Sequence, residues 1–393
     1  MRLLNSWLVV LIEDWRNGGF GLYIHWPFCE AKCPYCDFNS YVNSNVDTQI
    51  WEHALISELD RHAQLTKGRL LNSIFFGGGT PSLMPPSLVE KLILRAYEHW
   101  TPANDIEITL EANPSSVEAK QFSGFQAAGV NRVSIGIQAL NNLDLKKLGR
   151  LHSVDEAMAA LEVAHRHFDR VSFDLIYGRQ DQSLSSWATE LEMAISLNSG
   201  HLSLYQLTIE PGTAFGYRSN AGKLAGLPNE DLSADMFEFT NETCAIAGLN
   251  SYEVSNFSSE GMESKHNLIY WMGGDYVGIG PGAHGRLTVN NQRLATNTIL
   301  SPGAWLDGVK FNSNGENNRE VLSKNDHANE LIMMGLRLKD GISQSRVETI
   351  AQKCMYIPPD LTELGLLEMS DGLLKATTSG RALLNQIIQK LMF

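Results

Sequence analysis

Three of the five cysteines in this 393-residue chain fall within eight positions, Cys29, Cys33 and Cys36, spaced C-x3-C-x2-C. Three thiolates on one short loop can converge on one metal centre. A structural zinc ion takes four Cys or His ligands, so a zinc site here needs a fourth, and His25 is the nearest candidate. A cubane iron–sulfur cluster normally takes four cysteines, one per iron. With three, one iron keeps an open position for a ligand that is not protein. The spacing alone leaves both readings open, and colour separates them, since zinc is colourless and such clusters are brown. Pro27 and Pro34 fix φ and remove donors, so the loop presents its cysteines on a partly preset backbone.

Other groups invite chemistry less sharply. Gly77-Gly78-Gly79-Thr80-Pro81 follows an apolar run, where glycine allows close backbone approach to a ligand and turns N–H groups toward it. A tight turn asks for the same residues. Glu111, in EANP, is suited to accept hydrogen bonds from hydroxyls, or is a solvated carboxylate at a strand end. Residues 265–285, KHNLIYWMGGDYVGIGPGAHG, place His266 beside Asn267, Tyr270 and Trp271. A histidine among aromatics can ligate and wall a heme, or be a loop histidine capped by its neighbours. GIGPGAHG mimics a dinucleotide fingerprint, but Pro281 and its late position speak against that. Cys244 and Cys354 sit singly in helical patterns and are expected to be small core residues.

The elements that must position these groups alternate strand and helix. Strands are predicted at 20–26, 72–78, 106–112, 132–138, 170–178 and 202–209. Helices are predicted at Asp47–Ala63, Pro86–His99, Ser116–Ala128, Val154–His167 and Ser185–Ser196, where apolar residues recur at three- and four-residue steps. Strands that alternate with helices form a parallel α/β sheet, and a β/α barrel gathers its site at the carboxyl ends of its strands. One mouth should therefore collect the cysteine loop, the glycines, Glu111, Gln138 and Asp174.

From about residue 300 the pattern changes, which divides the chain into 1–300 and 301–393. SNGENNRE (313–320) reads as a linker or exposed loop. Helices follow at Asp326–Leu338 and Ser343–Lys353, then a short β-hairpin in LLEMSDGLLKAT and a closing helix, a winged-helix-like arrangement. Without a basic recognition helix, this unit is expected to pack or cover rather than bind DNA.

The formal charge of −13, with no Lys/Arg block, argues against a nucleic-acid surface. An odd cysteine count with three clustered is no disulfide framework, so a reducing, cytoplasmic setting is expected. LLNSWLVVLI (3–12) is too short to span a bilayer and is followed by Glu13 and Asp14. It is expected to be a packed strand or helix end, with peripheral membrane contact left open.

YIHWPFCEAKCPYCDF resembles the cluster loop of the radical S-adenosylmethionine (SAM) superfamily, in the branch holding oxygen-independent coproporphyrinogen III oxidase and a related heme chaperone. The resemblance implies a four-iron four-sulfur (4Fe-4S) cluster held by Cys29, Cys33 and Cys36, its open iron chelated by SAM. It also implies reductive cleavage of SAM to a 5′-deoxyadenosyl radical, and a partial (β/α)6 barrel with the smaller C-terminal helical unit. Through the same resemblance Gly78, Gly79 and Thr80 meet the amino end of SAM and Glu111 its ribose. Gln138, Arg150 and Asp174 complete the set, Arg150 with a fork of donors suited to the carboxylate. Tyr23 and Tyr35 line the same ligand, with packing as their alternative. After DLIYG the family usually continues Leu-Pro-Gly-Gln; here stand Arg179-Gln180-Asp181-Gln182, a loop expected to be looser.

Two branch members differ in what they do. The oxidase carries a further cysteine two positions after the third cluster ligand and a longer leading segment. This chain has Phe38 there and 28 residues before Cys29. HNLIYW followed by GDYVGIGPGAHG resembles the heme chaperone. The expectation is a protein that holds heme near His266 and passes it to acceptor hemoproteins, respiratory ones among them, with an electron donor serving the cluster. The alternative is oxidative decarboxylation of coproporphyrinogen III in porphyrin biosynthesis.

Overall fold

The computed structural model describes residues 14–43, 45–197 and 200–393, so the LLNSWLVVLI run lies outside the described residues. Six strands follow one another as the alternation demands: β1 (Phe20–Trp26), β2 (Leu70–Gly78), β3 (Thr101–Ala112), β4 (Arg132–Gln138), β5 (Arg170–Tyr177) and β6 (His201–Gln206). Each pairs in parallel with the next. β1 is buried on both faces apart from Tyr23, which is why it reads as a nearly continuous apolar run. The helices between them return the chain: α1 (Thr48–Leu65), α2 (Pro86–His99), α3 (Val154–His167) and α4 (Leu184–Ser196). Their starts are local. The Asp47 carboxylate accepts from the Gln49 and Ile50 amides, and Ser153 with Glu156 forms a capping box. The single helix expected over 116–128 is broken into Ser116–Ala119 and Phe122–Ala127.

The sheet is wider than the six predicted strands. It continues through β7 (Asn250–Ser251), β8 (Asn256–Ser258), β9 (Asp275–Ile279), β10 (His284–Val289), β11 (Gln292–Thr298) and β12 (Glu316–Val321), in the order β12-β11-β10-β9-β1-β2-β3-β4-β5-β6-β8-β7. β9 lies parallel to β1, so DYVGI, read only as part of a motif, is a barrel strand. SNGENNRE is not a linker: most of it forms the edge strand β12, paired antiparallel with β11. An edge strand with polar, exposed side chains carries no hydrophobic alternation to betray it.

The main core centres on indoles, Trp51 against Trp26 at 5.5 Å and against Trp305 at 5.4 Å. A second core joins Leu331, Ile332, Val347, Leu374 and Ile388 in the C-terminal unit. That unit consists of α6 (Lys324–Gly335), further helices and a three-stranded sheet of Ile342–Ser343, Leu373–Ala376 and Leu367–Ser370. It is held to the barrel by ion pairs, Arg346 with Asp14 at 2.8 Å and Arg286 with Glu330. Between the two lies α5 (Lys265–Trp271), the HNLIYW segment. Cys354 is exposed, contrary to the expected core role, because its helix stops at Ala351; Cys244 is buried as expected. No helix among the described residues is long and apolar enough to cross a membrane.

Candidate functional site

A cavity of about 430 Å³ opens at the carboxyl ends of β1 to β6, and Cys29, Cys33, Cys36, Gly78, Gly79, Thr80, Glu111, Gln138, Arg150, Asp174 and Tyr35 all line it. β1 delivers the chain into the cysteine loop. β2 ends at Gly78, whose φ is +111° and whose added Cβ would lie 2.7 Å from the His25 ring. A Cβ on Gly79 would meet the Phe28 carbonyl at 2.7 Å. Both glycines are therefore required where the β2 loop passes beneath the cysteine loop. Gln138 closes β4 at φ +75°, a left-handed conformation that costs a non-glycine residue energy and often marks functional positions.

The three cysteines are free and half-buried. Arg150 Nη1 donates to Cys33 Sγ at 3.4 Å, and the Tyr35 hydroxyl bonds the same sulfur. Thr80 and Ser40 hydroxyls reach Cys29, and the Phe38 amide serves Cys36. Burial pushes the Cys29 and Cys36 thiols up. Among the described residues no three His, Cys, Asp or Glu side chains gather tightly enough for a single metal ion. The proposed zinc partner is also committed: His25 shares Nδ1 with the Tyr23 hydroxyl at 3.0 Å and Nε2 with the Asn39 carbonyl at 2.9 Å. With His25 committed, three cysteines fall one ligand short of a closed tetrahedral zinc site and match a cubane that leaves one iron open.

Two carboxylates share the floor of the mouth. Burial, then the Asp174 charge, pushes Glu111 up to about 8, against one bond from the Gly78 amide. Burial pushes Asp174 up to about 6, although Ser134 Oγ donates to it at 3.2 Å. Neither makes an ion pair among the described residues, so both keep acceptor capacity for hydroxyl or amine donors of a ligand. Arg150 spends Nη2 on Asn113 Oδ1 at 2.7 Å and on the Gly136 carbonyl at 2.8 Å, while its buried Nε has no partner among the described residues.

Two predicted residues lie elsewhere. Tyr23 stands behind the mouth, its ring stacked on Phe75 at 6.2 Å and on His266 at 6.3 Å. His266 is 1% exposed. It shares Nδ1 with Ser73 Oγ at 2.7 Å and Nε2 with the Tyr270 hydroxyl at 2.6 Å. Ser73 is in register with Gly21 near the start of β1, so α5 plugs the barrel at the end opposite the cysteines. The expected axial ligand is thus shut in, with both nitrogens occupied. The loop after β5 is not loose either: Arg179, nearly fully buried, binds Glu190 and Asp144 and donates to the Ile176 carbonyl at 2.7 Å. A buried cation supplies the fixity that proline and glycine were expected to give.

Sequence reasoning passed over Asn113, Ser40, Ser134 and Tyr205, all lining the mouth. Asn113 could have been found, because it lies two positions after Glu111, just past the end of the same strand, where the alternation of side chains carries it toward the same side. The serines carry no such signal.

Residues 23–194 match the family model described as the radical SAM superfamily, and residues 322–383 that of the HemN C-terminal domain. The chain is 39% identical to "Heme chaperone HemW" of Escherichia coli over 94% of this chain and 97% of that protein. It is 36% identical to "Radical S-adenosyl methionine domain-containing protein 1, mitochondrial" of Bos taurus over 94% of this chain and 87% of the relative. Coproporphyrinogen III oxidase (HemN) from Escherichia coli shares the fold, with a TM-score of 0.79 at 21% identity over 99% of this chain and 93% of that one.

Proposed function

The chain belongs to the radical SAM superfamily, in the coproporphyrinogen III oxidase-like branch that holds the heme chaperones, and from that premise we propose that it binds heme and passes it to acceptor hemoproteins. The observation that carries this is the end-to-end similarity to proteins named heme chaperones, at 39% identity with both chains covered almost whole. The mouth adds support, since position 38, where the oxidase has a further cysteine, holds Phe38 with 60% exposure.

Within this reading Cys29, Cys33 and Cys36 hold a 4Fe-4S cluster and leave one iron to SAM. The residues fit that group. Three donor-bonded sulfurs face two carboxylates without ion pairs, and an Arg150 Nε without a partner, among the described residues, across one cavity. When bound, the pair supplies one-electron reducing chemistry at the mouth. Gly78, Gly79 and Thr80 offer backbone and hydroxyl groups to the amino end of SAM, and Arg150 and Gln138 face its polar groups. Glu111 and Asp174 accept from hydroxyl and amine donors, while Tyr35 closes the side wall. Tyr23 acts one layer back, by holding His25 against the cysteine loop. The heme segment is α5, with His266 fixing the helix from inside. Residues 1–300 carry these sites and 301–393 the closing unit. The acceptors are hemoproteins, respiratory ones among them, reached in the cytoplasm by at most peripheral membrane contact, and an electron donor serves the cluster.

The test is an anaerobic hemin titration of the cluster-reconstituted full chain, followed by visible absorbance, and then transfer to an apo-hemoprotein. Saturation at a single site followed by transfer is the expected result. No saturable binding, with turnover of coproporphyrinogen III, would move the assignment to the oxidase.

A further inference from the structure

Asn113 joins two of the residues that donate to the cysteine sulfurs. Its position is fixed from below by Glu118, a buried carboxylate at the edge of the mouth. Glu118 accepts from the Asn113 backbone N–H at 2.8 Å, from Asn113 Nδ2 at 3.3 Å, from Ser115 Oγ at 3.3 Å and from Ser82 Oγ. Ser82 lies in the short turn Pro81–Leu83 that follows the glycine loop, so one carboxylate staples the end of β3 to the end of β2. Pro114 comes next in the chain and restricts Asn113 to extended backbone.

The Asn113 side chain then faces two ways. Nδ2 donates to Thr80 Oγ1 at 3.1 Å, and Oδ1 accepts from Arg150 Nη2 at 2.7 Å. Arg150 has donors only, so it selects the amide oxygen and leaves the NH2 group for Thr80. A hydroxyl that accepts from an amide turns its own proton elsewhere, and the Thr80 hydroxyl reaches Cys29. Arg150, held at Nη2, points Nη1 at Cys33 Sγ, 3.4 Å away. The reversed amide would set its NH2 group against the guanidinium and its oxygen against Thr80, whose proton would then leave Cys29. One amide thus directs donors to two of the three cysteines.

Resting on the reading that Cys29, Cys33 and Cys36 hold a 4Fe-4S cluster, we propose that Asn113 is a positioning residue that sets the cluster's reduction potential, by aiming Thr80 at Cys29 and Arg150 at Cys33. Hydrogen bonds to the ligating sulfurs stabilise the reduced, more negative state. The groups that hold those donors in place tune the centre from outside its own ligands. The consequence is a cluster that takes up its electron more readily, with Glu118 as the anchor that keeps Asn113 in place.

The experiment is an anaerobic, dye-mediated redox titration of the full chain, reconstituted with iron and sulfide and free of SAM, followed by electron paramagnetic resonance of the reduced cluster. Asn113→Ala keeps the backbone N–H that Glu118 holds. It is expected to lower the reduced-to-oxidised ratio at a given potential about tenfold, a shift of about 59 mV for one electron. The same substitution in a Thr80→Val or an Arg150→Met background is expected to shift the potential less, because one of the two donors it directs is already gone. A wild-type potential in Asn113→Ala would overturn the proposal and leave the cluster reading standing. So would an equal shift in all three backgrounds, which is what a general disturbance of the loop gives. If Asn113→Ala takes up no cluster, Asn113→Asp decides. Its carboxylate draws the Thr80 proton from Cys29, so the potential should fall further with Thr80 present than with Thr80→Val, and equal falls would overturn the proposal. A wild type that takes up no cluster, or a Cys33→Ser variant that keeps it intact, would overturn the cluster reading and the proposal with it.

Discussion

Arg150 Nη1 sits 3.4 Å from Cys33 Sγ, joining residues 117 apart in the chain, and the same guanidinium ties Asn113 and Gly136 into the floor of the mouth. A cation that donates to a cluster sulfur stabilises the more negative, reduced state. Arg150→Met is expected to lower the reduction potential of the reconstituted cluster and to weaken SAM by about 1.5–3 kcal/mol, the worth of a charge-assisted hydrogen bond. Redox titration and equilibrium dialysis measure the two separately. Iron and sulfide content should hold, whereas Cys33→Ser should lose the cluster. A potential equal to the wild type's would show that the Arg150 contact is not kept once the sulfur carries iron.

Glu111 makes SAM binding depend on pH. Its folded acidity near 8 lies above the ordinary carboxyl value because burial disfavours the charge. The ligand-free fold therefore holds a proton that the unfolded chain releases. The contribution of Glu111 to stability is fully present below the unfolded value and is lost as pH rises from there to about 8, by at most about 1.4 kcal/mol per pH unit. A ribose diol prefers the ionised carboxylate, so apparent SAM affinity should rise up to about pH 8 and then level. Glu111→Gln should remove this component from both profiles, leaving those of the other buried groups. Calorimetry in buffers of different ionisation enthalpy counts the proton released.

Arg179 should matter to stability and little to the mouth. It is nearly fully buried against Glu190, with Asp144 and the Ile176 carbonyl completing its donors. Removing one member of a buried pair costs about 3–5 kcal/mol because the other charge is stranded. Arg179→Ala should lower the unfolding free energy read from a urea titration by that amount. Arg179→Ala with Glu190→Leu should recover part of it, since the buried Glu190 charge is no longer stranded, although the Leu140 amide loses its acceptor. Equal losses in both variants would mean the loop, rather than the charge pair, is what Arg179 holds.

Much of this was legible in residue types. Runs such as FGLYIHW and RVSIGIQ are buried on both faces, so they announce parallel strands without tertiary context, and the residues ending them collect at one mouth. What stayed hidden depends on partners far away in sequence. Strand β12 is polar and at an edge, so only its pairing with β11 makes it a strand. Arg179 reads only as part of a looser loop until Glu190 is placed beside it. His266 reads as an open ligand because nothing in HNLIYW says that Ser73, 193 residues away, takes its Nδ1. Burial is a property of the packed sheet, and it decides which of two equally plausible roles a histidine can take.

That burial gives His266 a signature of its own. Desolvation, with Arg132 nearby, lowers its pKa to about 3, so the folded state keeps it neutral while the unfolded chain protonates it near 6.5. Unfolding takes up a proton between those values, and stability is lost as pH falls through 6.5 toward about 3, by up to about 1.4 kcal/mol per pH unit. His266→Gln should be less stable than the wild type at neutral pH, where a hydrogen bond to Ser73 or Tyr270 is lost, and the gap should narrow in acid. His62, held down to about 3 by the same cause, is present in both proteins and cancels in the comparison. Hemin affinity at neutral pH separates the two roles. A histidine that only fixes α5 leaves affinity unchanged once the unfolded fraction is subtracted. One that ligates iron after the helix opens would cost affinity in His266→Gln even at full folding, and the wild type's acid-linked loss of stability would then vanish on adding hemin.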